Sequence, residues 1–291
     1  MFRGLFLTLN TKVILFNFFN NLKDHSGEMT FLDHLEDLRW HVVRSVIAMI
    51  VFTSIGFFGI SFIFSEILLA PMRDDFWTYR KLCELSDSLC ISGIKFEMQN
   101  RTMTGQFMMH IKTALVFGLC CSFPYLVFEI WKFIKPGLYP KEQKATRGAV
   151  LFVSVLFFLG ILFGYYIIVP LSFNFLINYK IDESIPNVID LTNYISLLTA
   201  MVLGSGIMFQ LPVLIYVLSK IGIVSPKLMR TYRRHAIVVI FIVAAIITPS
   251  PDFFTQSIVA LPLLILYELS IFISASVHKT RQLEHEEFMN S

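Results

Sequence analysis

Residues 148–170 read GAVLFVSVLFFLGILFGYYIIVP, 23 residues without one charged side chain and closed by a proline. Roughly 20 apolar residues, rising 1.5 Å each, cross a ~30 Å hydrocarbon core, so this run is long enough to span a bilayer as a helix. A barrel strand would need only about ten residues and would alternate apolar with polar side chains, which this run does not. Five further apolar runs surround it, at about 45–64, 107–131, 194–218, 236–248 and 253–273. The spacing predicts six membrane helices. The fifth is short and needs flanking residues, bilayer thinning or burial among its neighbours to span.

The composition of the whole chain agrees. Of 291 residues 55% are hydrophobic and 15% charged, against about a quarter charged in a soluble globule, and the mean hydropathy is +0.67. Thirty Phe and eleven Pro exclude a disordered chain, a coiled coil or a secreted disulfide scaffold. A net charge of +3 is too small to imply a nucleic-acid partner. The predicted class is an all-α polytopic membrane protein. Pro124, Pro212 and Pro262 fall inside predicted helices, where each removes an N–H, frees the carbonyl four residues back and bends the helix.

Basic residues set the orientation. The N-terminal stretch, the 131–148 connection and the 218–236 connection each carry five Lys or Arg, and the C-terminal tail two. The opposite loops carry six in all, five of them in the long loop after the first helix. Both termini are therefore expected in the cytoplasm. Residues 29–279 form the predicted membrane domain and 280–291 a polar cytoplasmic tail. Residues 1–28 hold an apolar patch too short to span and lack a small-residue cleavage site. They read equally as an extension, an interfacial segment or the product of an upstream start codon.

The search for chemistry is mostly negative. The chain has no P-loop, no His-Glu-x-x-His and no Cys-x-x-Cys, so no metal, cofactor or catalytic residue is expected. Gly204-Ser205-Gly206 reads as small residues at a close helix contact rather than as a nucleophile. Cys83 and Cys90, seven apart in the first external loop, could be joined in an oxidising compartment, but spacing alone does not fix the geometry. Polar groups within the apolar runs mark candidate functional positions. Lys112 reads as snorkelling from the outer end of the second helix. Glu129 stands three residues before Lys132 and suits a local ion pair. Gln210, beside Pro212, suits an interhelical hydrogen bond. Glu268 lies well inside the sixth helix, where a carboxylate costs about 2.5–3.5 kcal/mol unless it is protonated or faces water. A proton-coupled transporter of a small solute, relaying through Glu268 and Glu129, is the alternative these residues allow.

Several stretches resemble the TatC family, the receptor subunit of the twin-arginine protein translocase. They are His34-Leu35-Glu36-Asp37-Leu38-Arg39 before the first helix, Ala70-Pro71 at its outer end, and Phe123-Pro124-Tyr125-Leu126 continuing through Phe133 and Pro136 to Glu142. Phe209-Gln210-Leu211-Pro212, Ser225-Pro226 with Arg230, and Thr248-Pro249-Ser250-Pro251-Asp252 complete the set, in order from about Phe31 to Lys279. The resemblance implies a glove-shaped bundle with a concave face in the bacterial inner membrane. It implies recognition of twin-arginine signal peptides and export of folded proteins on the proton motive force, with TatA/TatB-type single-span partners and as a homo-oligomer.

In that family the signal-peptide arginines meet one carboxylate in the N-terminal motif and one in the loop between helices 2 and 3. Matched residue by residue, these fall on Asp37 and Glu142, with Arg39 and Phe133 in the same motifs. The family's usual Glu is Asp37 here, preceded by Glu36, which leaves open which of the two makes the contact. Gln210 matches a position where the family carries Glu or Gln. Pro71, Pro124, Pro136, Pro212 and Asp252 fall on structural motif positions. Physical chemistry is compatible with this, because guanidinium groups pair with carboxylates through planar bidentate bonds that lysine cannot reproduce. The local alternatives stay open: Asp37 paired with His41 or Arg44 on its own helix face, and Glu142 as an acidic residue at a helix start.

The charge bias is directly testable. A reporter fused after Asp87 is expected to read as external and one after Lys144 as cytoplasmic; the reverse pattern would overturn the orientation.

Overall fold

The computed structural model describes residues 31–85, 98–134, 146–182, 184, 188–248 and 253–289. The chain divides into two compact units, Met1–Arg44 and Ser45–Ser291. The described part of the first is the opening of helix α1 (Phe31–Phe58). No Gly or Pro occurs between Phe31 and Ile55, so nothing stops this helix short of the acidic motif. The motif expected just before the first helix therefore lies within its first turns. Residues 1–28 lie outside the described residues.

In the second unit the chain bends at Gly59, runs through the turn Ile60–Phe62 and a π turn over Ile63–Leu68, and tightens to a 3-10 turn at Ala70–Met72. Helix α2 (Trp77–Leu85) and a two-residue strand β1 (Met98–Gln99) follow, neither anticipated from hydropathy. Then come α3 (Gly105–Ile134) and α4 (Thr146–Phe163), which passes through a π turn at Gly164–Ile168 into α5 (Val169–Asn178). Strand β2 (Ile189–Asp190) pairs in parallel with β1, Met98 opposite Ile189. Helices α6 (Leu191–Met208), α7 (Leu211–Ile221), α8 (Pro226–Thr231), α9 (Arg233–Ile247) and α10 (Phe253–Met289) complete the chain. The predicted polar tail is thus a helical continuation of α10 as far as Met289.

Among the described residues five stretches are long and apolar enough to span: Glu36–Phe58, Gly105–Ile134, Gly148–Asn178, Leu191–Ile221 and Gln256–Lys279. The remaining predicted segment forms α9, whose 15 residues reach only about 22 Å. That falls short of a ~30 Å core. The fourth predicted span breaks into α6 and α7 at Phe209 and Gln210, ahead of Pro212. Gly222, at φ 91°, closes α7 in the left-handed conformation that a side chain would resist.

Polarity is distributed as a lipid solvent demands. Phe152 and Leu159 on α4 and Val238 and Ile242 on α9 are about half exposed, while Ser122, Ser172, Ser270 and Ser274 are fully buried. Small residues let backbones meet. A Cβ on Gly160 would stand 2.8 Å from Gly206 Cα, so α4 and α6 touch backbone to backbone. The Ser205 hydroxyl donates across that contact to the Gly160 carbonyl at 2.7 Å. Phe123 stacks on Phe157 between α3 and α4, and Ser219 donates to Ser274 at 2.7 Å between α7 and α10.

The end of the second unit that carries α2 is built around displaced carbonyls. Pro71 cannot donate to Ile67 O, and the Tyr165 hydroxyl does so at 2.7 Å. Pro170 likewise leaves Tyr166 O without its helical donor, and Thr78 Oγ1 supplies the proton. Met72 N turns to Leu69 O in the 3-10 turn, and Leu68 O receives the buried Tyr194 hydroxyl instead. Tyr79 donates to Pro71 O at 2.9 Å, with Pro170 O at 3.3 Å. Burial, with Asp74 nearby, holds the Tyr79 hydroxyl well above the usual phenol range, so it stays a donor. Four hydroxyls from α2, the π turn and α6 thus fasten the bends together.

Tyr194→Phe removes one of these hydroxyls while keeping the ring stacked on Phe173. It leaves a buried carbonyl unpaired, which costs about 1–3 kcal/mol. The unfolding midpoint in detergent is expected to fall accordingly; an unchanged midpoint would contradict the role assigned to the hydroxyl.

Candidate functional site

The first turns of α1, within the first unit, present Glu36, Asp37 and Arg39, all exposed. Helical spacing would permit Asp37 to pair with His41 or Arg44. Neither carboxylate is paired with a described residue, so the local ion pair anticipated as the alternative is not formed there. Exposed carboxylates on an ordered helix can accept two N–H groups from one guanidinium without a prior partner to displace.

In the second unit, the last turns of α3 hold Glu129, buried at 3% exposure, with Phe133 half-buried and Lys132 exposed. Pro124 lies within α3, and Pro212 at the start of α7. Glu142, Pro136 and Asp252 lie outside the described residues. So does Cys90; Cys83 is disulfide-bonded, and Cys120 and Cys121 are free thiols in α3.

Three of the intramembrane polar groups, Gln210, Glu268 and Lys112, are each tied to a different neighbour. Gln210 sits at the break between α6 and α7, and its Nε2 donates to Val153 O on α4 at 3.2 Å. Its Oε1 is buried without a partner among the described residues. This is the interhelical bonding role its position suggested. Glu268 on α10 is paired with Arg233 at the start of α9. The pairing accounts for a carboxylate at that depth without a proton relay. The short α9 brings its N-terminal arginine level with a residue midway along α10. Lys112 donates to Ser196 Oγ at 2.9 Å, joining α3 to α6 near their first turns rather than snorkelling free.

Sequence reasoning missed Arg233 as the partner of Glu268 and missed the hydroxyl network of Thr78, Tyr79, Tyr165 and Tyr194. Tyrosines close to Pro71 and Pro170 were the available signal. It also missed Asp190, which caps α6 by accepting from Thr192 N at 2.9 Å and Asn193 N at 3.2 Å. The Thr192 hydroxyl, then these amides, hold the Asp190 carboxyl below the usual carboxylate range.

Comparison with known proteins places this architecture. The family model described as TatC, Sec-independent protein translocase protein, matches residues 33–262. The Sec-independent protein translocase protein TatC of Blattabacterium sp. subsp. Periplaneta americana is 40% identical over 267 residues, covering 89% of this chain and all of that protein. The TatC of Aquifex aeolicus is 32% identical, covering 84% of this chain and 94% of its own length. A crystal structure of the twin-arginine translocase receptor TatC superposes with a TM-score of 0.65 at 32% identity, over 84% of this chain and 99% of the other. A second, in the detergent DDM, gives 0.67 over 83%. With four of its five described spans, its bends and its acidic first turns inside the matched region, the chain belongs to the TatC family.

Proposed function

We propose that the protein is the receptor subunit of a twin-arginine translocase, binding twin-arginine signal peptides at the cytoplasmic face of the bacterial inner membrane. The observation that carries this reading is the placement of Glu36 and Asp37, exposed and unpaired with any described residue, on the first turns of α1 within the family match. Asp37 accepts one signal-peptide arginine, with Glu36 as its neighbour, and Glu142 accepts the other. Arg39 and Phe133 flank the two carboxylates along the sequence. Export of folded precursors then proceeds on the proton motive force, with TatA/TatB-type single-span partners and further copies of this chain, both termini being cytoplasmic. The protein binds and conducts; it performs no covalent step.

Charge-assisted hydrogen bonds are worth roughly 1.5–3 kcal/mol each, so losing one carboxylate weakens binding about 10- to 100-fold. Asp37→Asn, Glu36→Gln and Glu142→Gln keep the shape and remove the charge. Affinities of the three variants for twin-arginine and twin-lysine peptides are expected to show the preference for arginine collapsing in Glu142→Gln and in at least one of the other two. The amount of protein in the membrane should be unchanged. Full discrimination retained by all three would exclude the proposed contact.

A further inference from the structure

Between Asp190 and Asp252 the chain contains no carboxylate, yet it carries Lys220, Lys227, Arg230, Arg233 and Arg234. Among the described residues Glu268 meets this group, and it is paired with Arg233. Beside it lies a groove of about 600 Å³ lined by Ser225, Pro226, Lys227, Arg230, Thr231 and His278, with no carboxylate among its described lining residues. Its walls are fixed. Tyr267 on α10 donates to Met229 O on α8 at 2.9 Å, and the Met229 side chain is buried. Lys227 and Arg230 project from this anchored helix and are exposed. Between and beside them Leu228, Ile223 and Tyr232 expose 44%, 64% and 53% of their surface. A cationic groove with exposed apolar side chains around it, against a membrane-spanning helix, is amphipathic in the same sense as a phospholipid.

We propose that this groove binds the headgroup of an anionic phospholipid. Lys227 and Arg230 hold the phosphate, and Leu228, Ile223 and Tyr232 meet the upper acyl chains. A basic pocket beside membrane helices retains acidic headgroups because the phosphate finds charge and the chains find hydrocarbon at one place. A free phosphate ion would use only the first half of this surface.

The test uses the full chain in detergent micelles doped with phosphatidylglycerol or phosphatidylcholine, and counts retained lipid by native mass spectrometry. Wild type is expected to retain phosphatidylglycerol preferentially, and millimolar inorganic phosphate should not displace it. Lys227→Gln with Arg230→Gln is expected to lower that retention roughly tenfold or more. Arg80→Gln, an exposed cation on α2, should leave it unchanged. The unfolding midpoint in phosphatidylcholine alone checks that the double variant is folded. Equal retention by wild type and the double variant would overturn the proposal, as would complete displacement by phosphate, which would mean a free-anion site.

Discussion

A backbone carbonyl that loses its helical donor inside a packed protein needs another donor in its place. Prolines create such carbonyls, and the chain spends them at its bends. Ile67 O and Tyr166 O, freed by Pro71 and Pro170, are taken by Tyr165 and Thr78, while Leu68 O is taken by Tyr194. Each hydroxyl comes from a different part of the second unit than the carbonyl it meets. The bends are therefore also the cross-links, and the two π turns, α2 and α6 are fixed together by one requirement.

The same requirement governs the interior. Five polar side chains at depth are matched across elements: Gln210 with Val153 O, Ser205 with Gly160 O, Ser219 with Ser274, Lys112 with Ser196 and Glu268 with Arg233. Such pairs lock neighbouring helices in place. Glu36 and Asp37 at the start of α1 and Lys227 and Arg230 on α8 are exposed.

Much of this was legible in the sequence, for physical reasons that differ by residue. The long spans follow from transfer free energy, which sums over about 20 positions and is insensitive to detail. The break at Gln210 follows from Pro212, and the close contact at Gly204-Ser205-Gly206 from side-chain size. The acidic motif of α1 was legible as a motif, although its helix begins earlier than hydropathy indicated, because polar helical turns carry no apolar signal. Partner identities were not legible. Nothing in the periodicity of α10 points to Arg233, 35 residues away, and nothing in Tyr194 points to Leu68. Helix α2 and the β1–β2 pair escaped notice because each is short. Helix α9 was legible as an apolar run of insufficient length, and only the structure shows that its first residue meets Glu268.

The central claim, that the acidic positions and not the helix interior receive the arginines, can be tested by site-specific photo-crosslinking in membranes. Probes at positions 37 and 142 are expected to capture a twin-arginine precursor through its arginine motif and to lose it when the arginines become lysines. A probe at 268 should capture nothing at that stage. Capture at 268 with none at 37 or 142 would contradict the account.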